Sequence, residues 1–376
     1  MGNAVRGWGV VFTGVLLVGC VAGSGYDTSD RHSRAKAALG GNPRDVCDAT
    51  MPWIPACAGM TERSAQAAVP YNAATTYAKL VKAYPFIKIA AVDSNAAIVT
   101  FTGIGYAQRG THLLQLDLYI PAQAMRNQAP VAAVVLVHGG GWRSGQRTNM
   151  APLAARLAAR GIAAAVIDYR LADEARYPAA IHDVKAALRW MRANSAAHGI
   201  DPQRIAVAGG SAGGQIASLV GVTNGMEKFD PDGAGDAVSS DAQAVINIDG
   251  LSDFTSPAAR ANEDDPKKKP SAAGFWFGGS YAEAPDRWRE ASPIFYVTPR
   301  TPPMLFIGSA QPRFAVGRDQ MVDKLTAAGV ATEVVMLPDS PHSFWLFEPW
   351  IDPTADAMAA FLRIHLPIPT TTRQAP

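Results

Sequence analysis

The residue best placed for covalent chemistry is Ser211, in Ile205-Ala-Val-Ala-Gly-Gly-Ser-Ala-Gly-Gly214. A short apolar run precedes it, glycines flank it on both sides, and a helix-forming stretch runs on to Val222. The pattern G-x-S-x-G is met by Gly209, Ser211 and Gly213. The glycines have a steric reason: a sharp strand-to-helix turn strains the serine's backbone, and flanking side chains would collide with neighbouring elements. A serine at a helix N-terminus also lies beside free N–H groups that favour a developing oxyanion. Such a serine attacks carbonyl carbon once a base removes its proton.

A second glycine cluster, His138-Gly-Gly-Gly-Trp142, closes the apolar run Val134 to Val137. It is not a phosphate cradle, because no G-x-x-x-x-G-K-[ST] follows. Two histidines lie after Ser211. His342 sits in Leu337-Pro-Asp-Ser-Pro-His-Ser-Phe-Trp345, after the last apolar run. His365, in Arg363-Ile-His-Leu-Pro367, reads as a structural or solvated residue near the end of a terminal helix.

The elements that must position these residues alternate. Tyr71 to Phe86 reads as a helix ended near Pro85, and Ala97–Tyr106 with Leu113–Ile120 as a hairpin. Continuous apolar runs follow at Val131–Val137, Ile162–Ile167, Ile205–Ala208, Ala244–Ile248, Met304–Ile307 and Val334–Leu337. Such runs mark strands buried on both faces. Helical stretches at Met150–Arg160, Pro178–His198, Ser211–Val222 and Arg318–Ala328 separate most of them. The alternation predicts an α/β domain: a mostly parallel sheet with helices on both faces and its site at the strands' carboxyl ends.

On these motifs the chain resembles the hormone-sensitive-lipase-like and carboxylesterase branch of the α/β-hydrolases, from about Thr111 to Pro367. The resemblance implies that backbone N–H groups of Gly140, Gly141 and Ala212 form an oxyanion hole. It implies that His342 is the base and that His138 only holds its loop in shape. No metal or organic cofactor is implied.

The resemblance leaves the acid open. In the esterase pattern an aspartate follows the strand before the histidine strand, but here the stretch is Ile307-Gly-Ser-Ala-Gln-Pro-Arg313 and the matching position is Gln311. A glutamine carries no charge to stabilise an imidazolium. Asp319, opening the next helix, is the preferred relocation, and Asp339, three residues before His342, is the alternative. Asp249 or Asp253, in Val245-Ile-Asn-Ile-Asp-Gly-Leu-Ser-Asp253, would place the acid one strand earlier. Pro312-Arg-Phe314, Gly317-Arg-Asp319, Ile248-Asp-Gly250 and Pro338-Asp-Ser-Pro-His342 together resemble an esterase subgroup that includes enzymes acting on plant cell-wall polysaccharides.

Between Ser252 and Tyr296 the alternation breaks, and Phe275, Trp276, Phe277, Tyr281 and Trp288 gather in a cap-like insertion, about 252–296. Exposed aromatics there would stack on sugar rings; buried ones would fasten the insertion to the body. Asp230-Pro-Asp-Gly-Ala-Gly-Asp236 lacks the closing glutamate of a calcium loop and reads as a polar loop.

The 376-residue chain is 48% hydrophobic and 18% charged, which suits a folded domain, and its net charge of +2 calls for no nucleic-acid partner. Cys20, Cys47 and Cys57 are its three cysteines, so the later fold relies on no disulfide or thiolate metal site. Residues 1–20 read as a lipoprotein-type signal peptide. Arg6 precedes an apolar run too short to span a bilayer, and Leu17-Val-Gly-Cys20 resembles a lipobox that would lipidate Cys20. Residues 21–70 read as a tether, 71–367 as the catalytic domain and 368–376 as a tail. Together these features predict an exported protein, in the cell envelope through a lipid anchor or secreted. Its expected activity is hydrolysis of short-chain carboxylic esters, small molecules or acetyl groups on cell-wall polysaccharides. A serine peptidase on the same fold, or a silent glycan-binding lipoprotein, are the alternatives, the latter supported by Gln311.

Overall fold

A computed structural model describes residues 70–127, 129–233, 238–268 and 270–367. The expected signal peptide with Cys20, the tether up to residue 69 and the tail from 368 therefore lie outside the described residues. In chain order the helices are α1 (Ala73–Leu80), α2 (Ala122–Asn127), α3 (Ala151–Ala159), α4 (Ala179–Ala193) and α5 (Ala212–Val222). After them come α6 (Pro257–Glu263), α7 (Ala272–Phe277), α8 (Pro285–Glu290), α9 (Arg318–Ala327) and α10 (Ile351–His365). The strands are β1 (Lys88–Ile89), β2 (Ile98–Arg109), β3 (His112–Pro121), β4 (Val131–Val137) and β5 (Ala163–Ile167). The rest are β6 (Ile200–Gly210), β7 (Val245–Ile248), β8 (Met304–Ser309), β9 (Thr332–Leu337) and β10 (Phe347–Glu348).

Eight strands form one sheet in the order β2-β3-β5-β4-β6-β7-β8-β9, antiparallel from β2 to β5 and parallel from there on. β1 and β10 pair separately. The run Val131–Val137 shows how a central strand buried on both faces is built. Ala133, Val135 and Val137 face one core and Val134 and Leu136 the other, all fully buried. One core is roofed by α4, α5 and α9, the other by α3 and α10. Each such buried valine or leucine contributes about 1.5–3 kcal/mol; the polar Asn247 of β7 is accommodated by hydrogen bonds to Ser218 and Gly250.

Several boundaries differ from the expectation. The first helix is shorter, Ala73–Leu80: Asn72 caps its start with a box closed by Thr75, and it ends at Leu80, before Pro85. β6 begins at Ile200 rather than Ile205, and the helix before it stops at Ala193. The insertion after β7 is built of the short helices α6, α7 and α8. Trp276, Phe277 and Trp288 are fully buried there. The Trp276 indole stacks on Trp142 at 5.1 Å and 10°. These rings are fasteners, out of reach of a sugar. Phe275 and Tyr281 lie part-exposed, beneath the Arg143 and Arg260 guanidiniums at 4.0 and 4.6 Å.

Candidate active site

β6 delivers Ser211 at its carboxyl end, and α5 begins with the next residue. Ser211 has φ 56° and ψ −121°. Its N–H donates to the Ile248 carbonyl at 2.8 Å, which fixes the strained turn against β7. The turn is tight enough that a Cβ on Gly213 would collide with the Val137 and His138 carbonyls. Glycine at that position is thus a packing requirement, as the motif implied.

His342 lies in the loop after β9 and turns both ring nitrogens to partners. Nε2 is 2.9 Å from Ser211 Oγ, and Nδ1 is 2.9 Å from Asp249 Oδ2. A carboxylate can only accept, so Nδ1 carries the proton and Nε2 is free to accept from the serine hydroxyl. Asp249 ends β7, and its other oxygen accepts the Ser309 N–H at 2.8 Å from β8. Its own N–H donates to Ile307 at 3.0 Å. The Asp249 side chain is 3% exposed and wedged between two strand ends.

The structure brings Asp249 to His342, and neither Asp319, the expected acid, nor its alternative Asp339. Asp319 opens α9, but its side chain is 75% exposed and pairs with its neighbour Arg318 at 2.8 Å. Asp339 is exposed on the turn before His342, whose Nδ1 is already taken by Asp249. Gln311 caps the 3-10 turn after β8, its N–H donating to Ser309 Oγ at 3.2 Å. Asp253 spends an oxygen on Thr255. Parallel order explains the choice: β7 lies directly between β6, which carries Ser211, and β8. The end of β7 is therefore the nearest place from which a short aspartate reaches a histidine hydrogen-bonded to that serine.

Burial lowers the His342 pKa below the usual imidazole value; Asp249 opposes that shift, and Arg313 adds to it. Phe314 lies flat on the imidazole at 3.4 Å and 7°, and Trp345 meets it edge-on at 5.1 Å. The hydroxyl of Ser343 accepts from Tyr71 at 2.9 Å, tying the histidine loop to the segment before α1.

The glycine loop after β4 passes over Ser211. Gly140 and Gly141 have φ 124° and 60°, and a Cβ on Gly140 would collide with the Ser144 carbonyl. Ala212, as the first residue of α5, has no intrahelical partner for its N–H. His138 is fully enclosed, its Nδ1 donating to the Gly139 carbonyl at 2.8 Å and its ring stacked on Tyr169 at 4.4 Å. Burial holds its pKa down to about 4. It is kept neutral and out of proton transfer at neutral pH. Gly141, Trp142, Ser211, Ala212 and Asp249 border a cleft of about 100 Å³, closed on its far side by Glu263, Ala272, Arg313 and Phe314. Among the described residues, Trp142, Ser211 and Asp249 are the three non-glycine residues with positive φ, and all three line this cleft. Backbone strain of that kind gathers at functional sites. Among the described residues no group of three or more His, Cys, Asp or Glu side chains could hold a metal ion.

Glu263 had no signal of its own in the sequence, being one carboxylate in a mixed-charge run. Asp249 had one: an acidic residue followed by glycine directly after the short buried strand Val245-Ile-Asn-Ile248.

Residues 116–320, more than half of the chain, match the BD-FAE family. Esterase LipC of Mycobacterium tuberculosis is 35% identical over 247 residues, which are 63% of this chain. The chain spans 59% of LipC's own length. Ethyl acetate hydrolase of Pseudomonas putida is 29% identical over 249 residues, covering 63% of this chain and 73% of that protein. In three dimensions a truncated carbohydrate esterase from gut microbiota superposes with a TM-score of 0.60 at 23% identity, over 73% of this chain and 99% of that one. The sheet order, the serine turn and these matches place the protein: it has the α/β-hydrolase fold and belongs to the BD-FAE family, in the hormone-sensitive-lipase-like carboxylesterase branch.

Proposed function

We propose that this protein is a serine esterase in which Ser211, His342 and Asp249 cleave short-chain carboxylic esters. The observation that carries the reading is the continuous relay, 2.9 Å from Ser211 Oγ to His342 Nε2 and 2.9 Å from His342 Nδ1 to Asp249 Oδ2. Ser211 Oγ attacks the ester carbonyl carbon while His342 Nε2 takes its proton. The carbonyl electrons move to oxygen, where the N–H groups of Gly140, Gly141 and Ala212 stabilise the charge. His342 then protonates the departing alcohol oxygen, and an acyl-enzyme remains on Ser211. Water attacks that ester with His342 again as base, releasing the acid and restoring the serine. Asp249 holds the imidazole in the right tautomer and stabilises its cation.

A cleft of about 100 Å³ beside Ser211 favours small acyl groups. The relation to an ethyl acetate hydrolase supports short acyl chains, and the likeness in fold to a carbohydrate esterase supports acetyl groups on cell-wall polysaccharides. A silent glycan-binding role drew its support from Gln311; a buried carboxylate on His342 removes that support. Export with a lipid on Cys20 belongs to the same reading, and partition of the full chain into the aqueous phase of a detergent separation would contradict it.

The test is release of p-nitrophenol from its acetyl ester. The wild-type chain hydrolyses it and Ser211→Ala does not. Equal rates in the two proteins would sink the esterase reading.

A further inference from the structure

Three side chains at the cleft's far wall form a chain of contacts that ends on the base. Glu263, the last residue of α6, is 7% exposed and bonds Arg313 Nη2 through Oε1 at 2.8 Å. The Arg313 guanidinium lies 5.2 Å from the centre of the Phe314 ring. That ring covers the His342 imidazole at 3.4 Å. Arg313 and Phe314 belong to the 3-10 turn Pro312–Ala315 after β8, whereas Glu263 comes from the insertion after β7. The ion pair thus bolts two separate segments together at the spot where one of them presses on the catalytic ring.

We propose that Phe314, held in place by the Glu263–Arg313 ion pair, is the positioning residue for His342. The proposal rests on the esterase reading for its effect on turnover. During the reaction the imidazole must turn Nε2 from the serine oxygen to the leaving alcohol oxygen without swinging out of the cleft. Asp249 tethers it at one point only, and rotation about that tether is limited by what lies on the ring's faces. Phe314 closes one face and Trp345 meets the ring edge-on. The phenyl ring also keeps water off a group that must be neutral to act as a base.

The charges facing His342 are Asp249 from the end of β7, Arg313 from the turn after β8 and Glu263 from α6; Ser211 and the Tyr71-bonded Ser343 are its neutral neighbours. Glu263 balances Arg313, so the pair holds the turn without placing an uncompensated cation beside the imidazolium. Removing either part of the device has a distinct signature. Phe314→Leu admits water, stabilises the imidazolium and moves the acid limb of the kcat/KM profile upward. Glu263→Gln leaves Arg313 unbalanced and moves it downward.

The experiment measures kcat and KM for p-nitrophenyl acetate across pH in the full chain and in Phe314→Leu, Phe314→Tyr and Glu263→Gln. In parallel, the His342 Hε1 resonance is titrated by NMR and assigned by its loss in His342→Gln. Phe314→Leu loses up to about 10²-fold in kcat with KM little changed, the order of loss expected for a catalytic group misplaced by about 1 Å. Phe314→Tyr, which keeps a ring over the imidazole, restores it. The ring-current displacement of Hε1 disappears in Phe314→Leu and persists in Phe314→Tyr. Limb shifts of the same sign in Phe314→Leu and Glu263→Gln, or a wild-type limb and kcat in Phe314→Leu, would overturn the proposal. If Phe314→Leu does not fold, Glu263→Gln decides: a wild-type kcat together with an unchanged Hε1 displacement in that variant would overturn the proposal. Loss of the esterase reading shows separately, as hydrolysis independent of Ser211, and the NMR titration still reads the clamp.

Discussion

Asp249→Asn is the change that most sharply probes the relay. The two carboxylate oxygens of Asp249 accept from two donors, Ser309 N–H at 2.8 Å and His342 Nδ1–H at 2.9 Å. An asparagine has one acceptor and one donor to place in the same sockets. With its oxygen toward His342, its NH₂ would face the Ser309 N–H, leaving two buried donors opposed at a cost of about 1–3 kcal/mol. Ser309 is 4% exposed, so water offers little relief. The oxygen therefore stays with Ser309 and the NH₂ turns to His342. Nδ1 must then accept, the ring proton moves to Nε2, and the base is blocked toward Ser211. The imidazolium also loses its counter-charge. A wrong tautomer of this kind costs about 10⁴-fold in kcat, or about 5 kcal/mol in the barrier. The assay is kcat on p-nitrophenyl acetate, with thermal unfolding as the check on fold. Asp319→Asn and Asp339→Asn, at exposed positions, serve as controls and keep the wild-type rate. If Asp249→Asn stayed within tenfold of wild type while Asp319→Asn fell, the acid would be Asp319 and the geometric argument wrong.

Three further outcomes are expected. Because burial lowers the His342 pKa, the base stays neutral, and kcat/KM stays on its plateau, at pH values below the usual imidazole range; an acid limb above pH 6.5 would contradict this. Lys185 is fully buried with its ammonium on the Val220 and Thr223 carbonyls at 3.4 and 3.1 Å, and burial lowers its pKa from 10.5 to about 8. Between those values the unfolded chain holds more protons than the folded one, so this group adds stability as pH rises from 8 to 10.5, in all about 3 kcal/mol. Denaturant unfolding of the wild type against Lys185→Met isolates that slope, and parallel curves across the window would refute it. Gly213→Ala drives a methyl into the Val137 and His138 carbonyls, so its urea midpoint should fall by the equivalent of about 1–3 kcal/mol; an unchanged midpoint would mean that the turn is looser than described.

Much of the scaffold is legible in the residues because burial on both faces leaves a run with no polar positions, as in Val131–Val137 and Ala163–Ile167. Ser211 is legible for a related reason: few sequences need glycine at 209, 210, 213 and 214 together unless backbone, and at 210 the Trp345 indole, crowds in. The acid is not, because its place depends on which strand ends are neighbours. Asp319 lies nearer to His342 along the chain than Asp249 does, yet the sheet order puts Asp249 against the imidazole. The insertion's aromatics were equally open. Trp276 and Trp288 are buried through partners far away in sequence, Trp142 and Phe254, which no local pattern announces. The clamp residue Phe314 is a single half-exposed ring on a turn, and only the loop's path brings it onto His342.

The positive φ of Ser211 and Asp249 sets folding against chemistry within single residues. Each such conformation costs about 1–3 kcal/mol, and glycine would adopt it freely. On the proposed mechanism the sturdier protein is therefore the idle one: Ser211→Gly relieves the turn and removes the proposed nucleophile in one step. Any selection of this chain for heat resistance alone will drift toward that dead end, so a screen for hardier variants has to demand turnover at every round.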